Sequence, residues 1–151
     1  MKKLGILIES LHACQQSISL IINCNKLSND KNIDVIGFYE IYGQFPAAPH
    51  FSVMQNRNIW EFDGPIIATD IDSAYTLINC PRISKKYLYI WNLEWIFHPA
   101  NFYYYNDIYN HKDIELIARS KYHEKIIRKI WKKPKFIMEN FDNEILAKIA
   151  D

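Results

Sequence analysis

Apolar residues along this chain gather in short runs, and stretches of helical periodicity separate the runs. Leu4 to Ile8 is the first run, broken by Glu9-Ser10-Leu11-His12. Cys14, Ile18, Ile21, Ile22 and Leu27 then recur at helical spacing, which predicts one helix to about Asn29. Ile33 to Tyr39 is a second strand-like run. Residues 42–64, with Pro46, Pro49 and Gly64, read as a long irregular excursion, a type of segment that is commonly functional in compact domains. Pro65 to Thr69 is a third run and ends at Asp70. That aspartate can cap a helix with Ile71, Ala74, Tyr75 and Ile78 on its buried face, which Pro81 stops. Lys86 to Trp91 is a fourth run, followed by Asn92-Leu93-Glu94-Trp95 and a tyrosine-rich stretch. Ile114 to Ala118 is a fifth. Arg119 or Ser120 then opens a helix carrying Ile126, Ile127, Ile130 and Trp131, which Pro134 ends. Lys135 to Met138 gives a sixth strand, and Asn143 to Ala150 a closing helix.

Strand, helix, strand repeated in this way predicts an α/β fold over residues 1–151. The expected architecture is a three-layer Rossmann-like sandwich, a mainly parallel sheet of about six strands with helices on both faces. Right-handed crossovers place all strand C-termini along one edge, where ligands of such sheets bind. The residues at those ends are Glu9, Ser10 and His12; Tyr39 and Glu40; Thr69 and Asp70; Trp91, Asn92 and Glu94; Arg119 and Ser120; Glu139 and Asn140.

The length of 151 residues suits a single domain. Lys plus Arg number 18 and Asp plus Glu 17, for a net charge of +1, which excludes a polyanion binder driven by bulk charge and leaves local patches open. The three cysteines, Cys14, Cys24 and Cys80, show no C-x-x-C spacing and read as ordinary thiols. No apolar stretch reaches the ~18 residues a membrane span needs, and the short run after Lys2-Lys3 does not form a signal-peptide core, so a cytoplasmic location is expected.

Several chemistries are excluded by missing motifs. No G-x-G-x-x-G follows the first strand and no G-x-x-x-x-G-K-[ST] occurs, so the glycines that let backbone amides approach a nucleotide phosphate are absent. G-x-S-x-G is absent as well. No metal site is visible in the ligand spacing. His12, at the mouth of the first helix, can act as a general base on a substrate hydroxyl, oriented by a carboxylate such as Asp70 or Glu94; otherwise it is a polar helix-start residue facing water. Trp91 and Trp95 flank Asn92 and Glu94 at a strand end. Aromatic faces beside a carboxylate suit sugar rings, and the same rings can instead pad the sheet edge or an interface. Phe102-Tyr103-Tyr104-Tyr105 carries the same two readings, with docking to another chain as the second. The segment from Arg119 to Lys135 holds eight of the 18 basic residues and one acid, Glu124. It is either a solvated rim on a core helix or a contact for an anionic surface, lipid headgroups or a phosphate backbone.

The strand Ile114-Glu115-Leu116-Ile117-Ala118 running through Arg119-Ser120 into a helix resembles an element of GT-B fold glycosyltransferases. So does Lys135-Phe136-Ile137-Met138 with the turn Glu139-Asn140-Phe141-Asp142, which resembles the point where their N-terminal domain hands over to the C-terminal one. The resemblance covers nearly the whole chain and implies an acceptor-side domain. It would place His12 as catalytic base after the first strand and Trp91, Asn92 and Glu94 on the acceptor side of the cleft. With the strand-end residues Ser10, Trp95, Arg119 and Ser120 it defines the expected site, with His12, Asp70 and Glu94 in the catalytic roles. The family holds its nucleotide-sugar donor mainly in a second Rossmann domain, so a partner chain or second copy is expected to supply that half, with a sugar or glycan as acceptor and no bound cofactor. The alternative expectation is a non-catalytic Rossmann-like subunit that uses its aromatic surfaces for assembly.

Overall fold

The protein is described here by a computed structural model covering residues 2–30, 33–83 and 85–151. Among these residues the strands are β1 Lys2–Ser10, β2 Ile33–Ile41, β3 Ser52–Gln55, β4 Ile66–Ala68, β5 Lys86–Ile90, β6 Ile114–Ala118 and β7 Phe136–Ile137. The helices are α1 Gln15–Asp30, α2 Ile71–Ile78, α3 Phe102–Tyr109, α4 Lys121–Ile130 and α5 Asn143–Ala150. The strands form a single sheet in the order β3-β2-β1-β4-β5-β6-β7, and every pairing in it is parallel.

Parallel strands covered on both faces read as unbroken apolar runs, and this explains the sequence pattern. Along β1, Leu4, Ile6 and Ile8 join a cluster with Leu20, Ile21, Cys24 and Leu27 of α1 and Leu146 and Ile149 of α5. Leu7 belongs to a separate cluster with Ala74 and Leu77 of α2, Ile108 and Tyr109 of α3 and Ile127 of α4. The same alternation runs through β5, where Tyr87 and Tyr89 join the first cluster and Leu88 and Ile90 the second. Gly5 is fixed by the β1–β4 contact, because a Cβ there would lie 2.7 Å from Ile66 Cγ1.

Four expectations are corrected. The sheet has a seventh strand, β3, inside the excursion expected to be irregular, and a 3-10 turn over Asn56–Glu61 follows it. β3 pairs with β2 in parallel as an edge strand, and its four residues are mostly exposed, so no apolar run announces it. Cys14 lies outside α1 and caps it: its carbonyl accepts from Ile18 N at 3.0 Å and its Sγ lies 3.3 Å from Ser17 Oγ. On α2 the buried face is Ile71, Ser73, Ala74 and Leu77, while Tyr75 is exposed against Tyr104. Ser73 can be buried because its hydroxyl donates to Asp70 Oδ2 at 2.6 Å. On α4, Ile127 alone is fully buried and Ile130 is exposed, so the apolar stripe is narrower than its spacing implied.

β1 leads through α1 to β2 on one side, and β4 leads through α2 to β5 on the other. The topological switch point therefore lies between β1 and β4, and a crevice opens there at the strand C-termini. No helix among the described residues is long and apolar enough to cross a membrane.

Candidate functional site at the switch point

Local chemistry holds each wall of this crevice. β1 ends in Glu9-Ser10, and the turn after it is pinned by Leu11, which is fully buried. β4 ends at Ala68, and the amide and Oγ1 of the next residue, Thr69, both donate to Leu7 O, at 3.1 and 3.2 Å. Gln16 Nε2 of α1 donates to Thr69 O at 3.2 Å and ties the two strand ends together. Asp70 then caps α2, accepting from Ser73 N at 2.7 Å. After β5 a 3-10 turn over Glu94–Ile96 directs Glu94 toward the same space. The result is a cavity of about 140 Å³ lined by Glu9, Ser10, His12, Gln16, Asp70 and Glu94 among others. A neighbouring cavity of about 370 Å³ shares Glu9, Asp70 and Glu94 and adds Asp72, His98 and Tyr104. The larger one lies within the size range of small-molecule sites.

The electrostatics are one-sided, with Glu9, Asp70, Asp72 and Glu94 facing the two cavities. Burial pushes the Glu94 carboxyl above the ordinary glutamate range; the charges of Asp70, Asp72 and Glu9 push it the same way and His98 opposes them. Tyr104 donates to Asp72 Oδ1 at 2.9 Å, and burial together with that bond raises the phenol. No group of three or more His, Cys, Asp or Glu among the described residues is arranged to hold a metal ion. The arrangement offers acceptors to a ligand's hydroxyl or amine groups and two imidazoles, His12 in the smaller cavity and His98 in the larger.

Of the residues expected from the sequence, Ser10, His12, Asp70 and Glu94 come together in the smaller cavity. Both oxygens of Asp70 are engaged by Ser73, so that side chain holds α2 in place. Among the described residues no side chain donates a hydrogen bond to the carboxylate of Glu9 or Glu94, and the imidazole whose charge acts on Glu94 is His98; Glu9, Glu94 and His12 share the lining of the smaller cavity. Asn92 is exposed and lines neither cavity.

Trp91 and Trp95 are core residues, 7% and 6% exposed, which corrects their expected place as a sugar platform. Trp91 stacks on Phe141 with centroids 5.9 Å apart, and the Arg119 guanidinium lies 3.9 Å from its ring centroid. Trp95 meets Trp131 edge-on at 4.6 Å and Tyr109 at 5.5 Å. Arg119 is thus spent on Trp91. Ser120 caps α4 by accepting from His123 N at 3.2 Å. Asp72 and His98 went unforeseen; for Asp72 the signal was its place in the first turn of a helix whose cap, Asp70, was already a site residue. Tyr104 was expected only as part of an aromatic cluster suited either to sugar rings or to docking another chain. In that stretch Tyr105 and Tyr109 are buried and Tyr103 is 82% exposed.

A scan against protein-family models and searches of the curated proteins and of the solved structures found no match to this chain. What is shown of the expected architecture is a parallel α/β sheet, Rossmann-like in general, and no family match supports a GT-B domain.

Proposed function

We propose that this chain is the acceptor-side half of a two-chain glycosyltransferase, a cytoplasmic three-layer Rossmann-like domain whose switch-point crevice binds a neutral, hydroxyl-rich acceptor. The observation that carries the reading is the crevice lining: Glu9, Asp70 and Glu94 with His12 in the smaller cavity, the same three carboxylates with Asp72 and His98 in the neighbouring one, and no glycine-built cradle beside them. Carboxylates repel the phosphates of a nucleotide-sugar and accept hydrogen bonds from sugar hydroxyls. The donor then belongs to a partner chain, docked with its nucleotide-sugar facing this edge.

In the reaction His12 takes the proton of an acceptor hydroxyl as that oxygen attacks the anomeric carbon. A new glycosidic C–O bond forms, the bond to the donor's phosphate oxygen breaks, and the nucleoside diphosphate leaves on the partner's side. Glu9 or Glu94 orients the imidazole and stabilises the imidazolium, a service suited to a carboxylate left without a protein donor.

Native mass spectrometry on the protein isolated from its own source is expected to show a complex with a second Rossmann-like chain. In that complex His12→Ala should lower the transfer rate by about 10²–10⁴-fold while assembly is retained. Full activity of His12→Ala would remove the catalytic role, and transfer by the chain alone would remove the need for a partner.

A second reading, a non-catalytic assembly subunit, is favoured by one observation: Ile96, Phe97 and Tyr103 are 56%, 75% and 82% exposed within eight residues of one another. It predicts association with proteins unrelated to sugar transfer and no dependence on nucleotide-sugar. The exposed basic side chains of α4 would then be read as a contact with a membrane surface or nucleic acid.

A further inference from the structure

The near-zero net charge conceals a separation of charge along the strands. Carboxylates line the strand C-terminal edge, while the opposite edge carries a cavity of about 570 Å³ bordered by Lys85, Lys86, Lys112 and Lys135 against Asp113 and Glu115. Four lysines against two carboxylates leave that cavity with an excess of two positive charges. Lys135 is already paired with Glu115 at 3.6 Å. Ile78, Pro81 and Ile83 are the aliphatic residues of its lining.

Lys86 is the unusual member. It opens β5 with its side chain on the α2 face of the sheet, and it is 6% exposed. Its Nζ donates to Ile78 O at 3.0 Å, the last residue of α2, where the helix dipole favours a cation. An ammonium has three donors, and one is accounted for. No carboxylate of a described residue lies within ion-pair distance of it. Burying a charge without a counter-charge is costly, and such groups are ordinarily paired. Lys132 adds a further cation close by, since its Nζ donates to His111 O and Ile114 O beside Lys112 and Asp113.

We infer that this cavity, at the N-terminal ends of β5 and β6, is a binding site for the phosphate group of a small phosphorylated molecule. Lysine ammonium groups act as point charges toward phosphate, and an excess of two positive charges matches a phosphomonoester dianion. The volume leaves room for an organic body against Ile78, Pro81 and Ile83. The site is on the edge opposite the crevice and does not depend on the transferase reading.

The test is a titration of the whole chain with inorganic pyrophosphate, followed by amide chemical shifts at constant ionic strength. Saturable shifts grouped around Lys86, Lys112 and Lys135 are expected. Lys112→Gln and Lys135→Gln, both on exposed residues, should each weaken binding about five- to tenfold, and Glu115→Gln should tighten it by releasing Lys135. Cosedimentation with phosphatidylcholine vesicles containing phosphatidic acid, competed by pyrophosphate, would assign the phosphate to a lipid headgroup. Saturation without cosedimentation would assign it to a soluble metabolite. Absence of saturation up to about 10 mM, or affinity unchanged in both lysine variants, would overturn the inference.

Discussion

Trp95→Ala is expected to cost about 3–5 kcal/mol of folding stability, the range for removing a buried aromatic ring. The indole lies edge-on to Trp131 and Tyr109, and Trp131 in turn stacks on Phe102 at 5.9 Å and donates from Nε1 to Asn106 Oδ1 at 3.1 Å. One ring thus joins the turn after β5, helix α3 and the end of α4. Its loss leaves a void bordered by Trp131 and Tyr109. Against a typical total of about 5–15 kcal/mol, the variant should be marginal at ordinary temperature. Urea denaturation measures this directly. A cost below about 1 kcal/mol would mean that the ring stands at the surface, free to meet a ligand, as its position at a strand end had suggested.

The second large effect is at Phe141. Its ring is fully buried, edge-on to Tyr89 at 4.9 Å and stacked on Trp91 at 5.9 Å. Its backbone, however, sits at φ 59°, next to Asn140 at φ 48°, the left-handed region that disfavours a side chain. Phe141→Ala is expected to lose about 3–5 kcal/mol with the ring. Phe141→Gly loses the same ring yet relieves a backbone cost of about 1–2 kcal/mol, which offsets the ~1 kcal/mol that glycine ordinarily loses to alanine. The two variants should therefore unfold at nearly equal denaturant concentration, or glycine slightly later. An alanine variant more stable than glycine by the usual margin would contradict the left-handed turn between β7 and α5.

This turn illustrates what a sequence reading can and cannot reach. Regular elements were legible where burial imposes a period: β5 and β6 within a residue, α5 over its full length, and the caps of α2 and α4 from Asp70 and Ser120. β3 was not legible, because an exposed edge strand of Ser-Val-Met-Gln needs no apolar run. Phe141 in the left-handed region was not legible either, since the rings it packs on, Tyr89 of β5 and Trp91 just beyond it, are distant in sequence.

The site divides in the same way. Ser10, His12, Asp70 and Glu94 could be placed at one edge because all strands of a parallel sheet end there. Which side chains turn inward was a matter of packing. Trp91 and Trp95 went to the core, Arg119 settled on Trp91, and Asp72, His98 and Tyr104 arrived through a helix turn and the 3-10 turns after β5.

The central claim is that the β1–β4 crevice takes a neutral, hydroxyl-rich ligand and refuses a nucleotide-sugar. Amide chemical-shift mapping of the whole chain tests it, with a neutral oligosaccharide series in one titration and nucleotide-sugars in the other. The account predicts saturable shifts at Glu9, Ser10, His12, Asp70 and Glu94 with at least one neutral glycan, abolished by Glu9→Gln combined with Glu94→Gln, and none there with nucleotide-sugars. Nucleotide-sugar binding in that crevice, with no response to any neutral glycan, would contradict it.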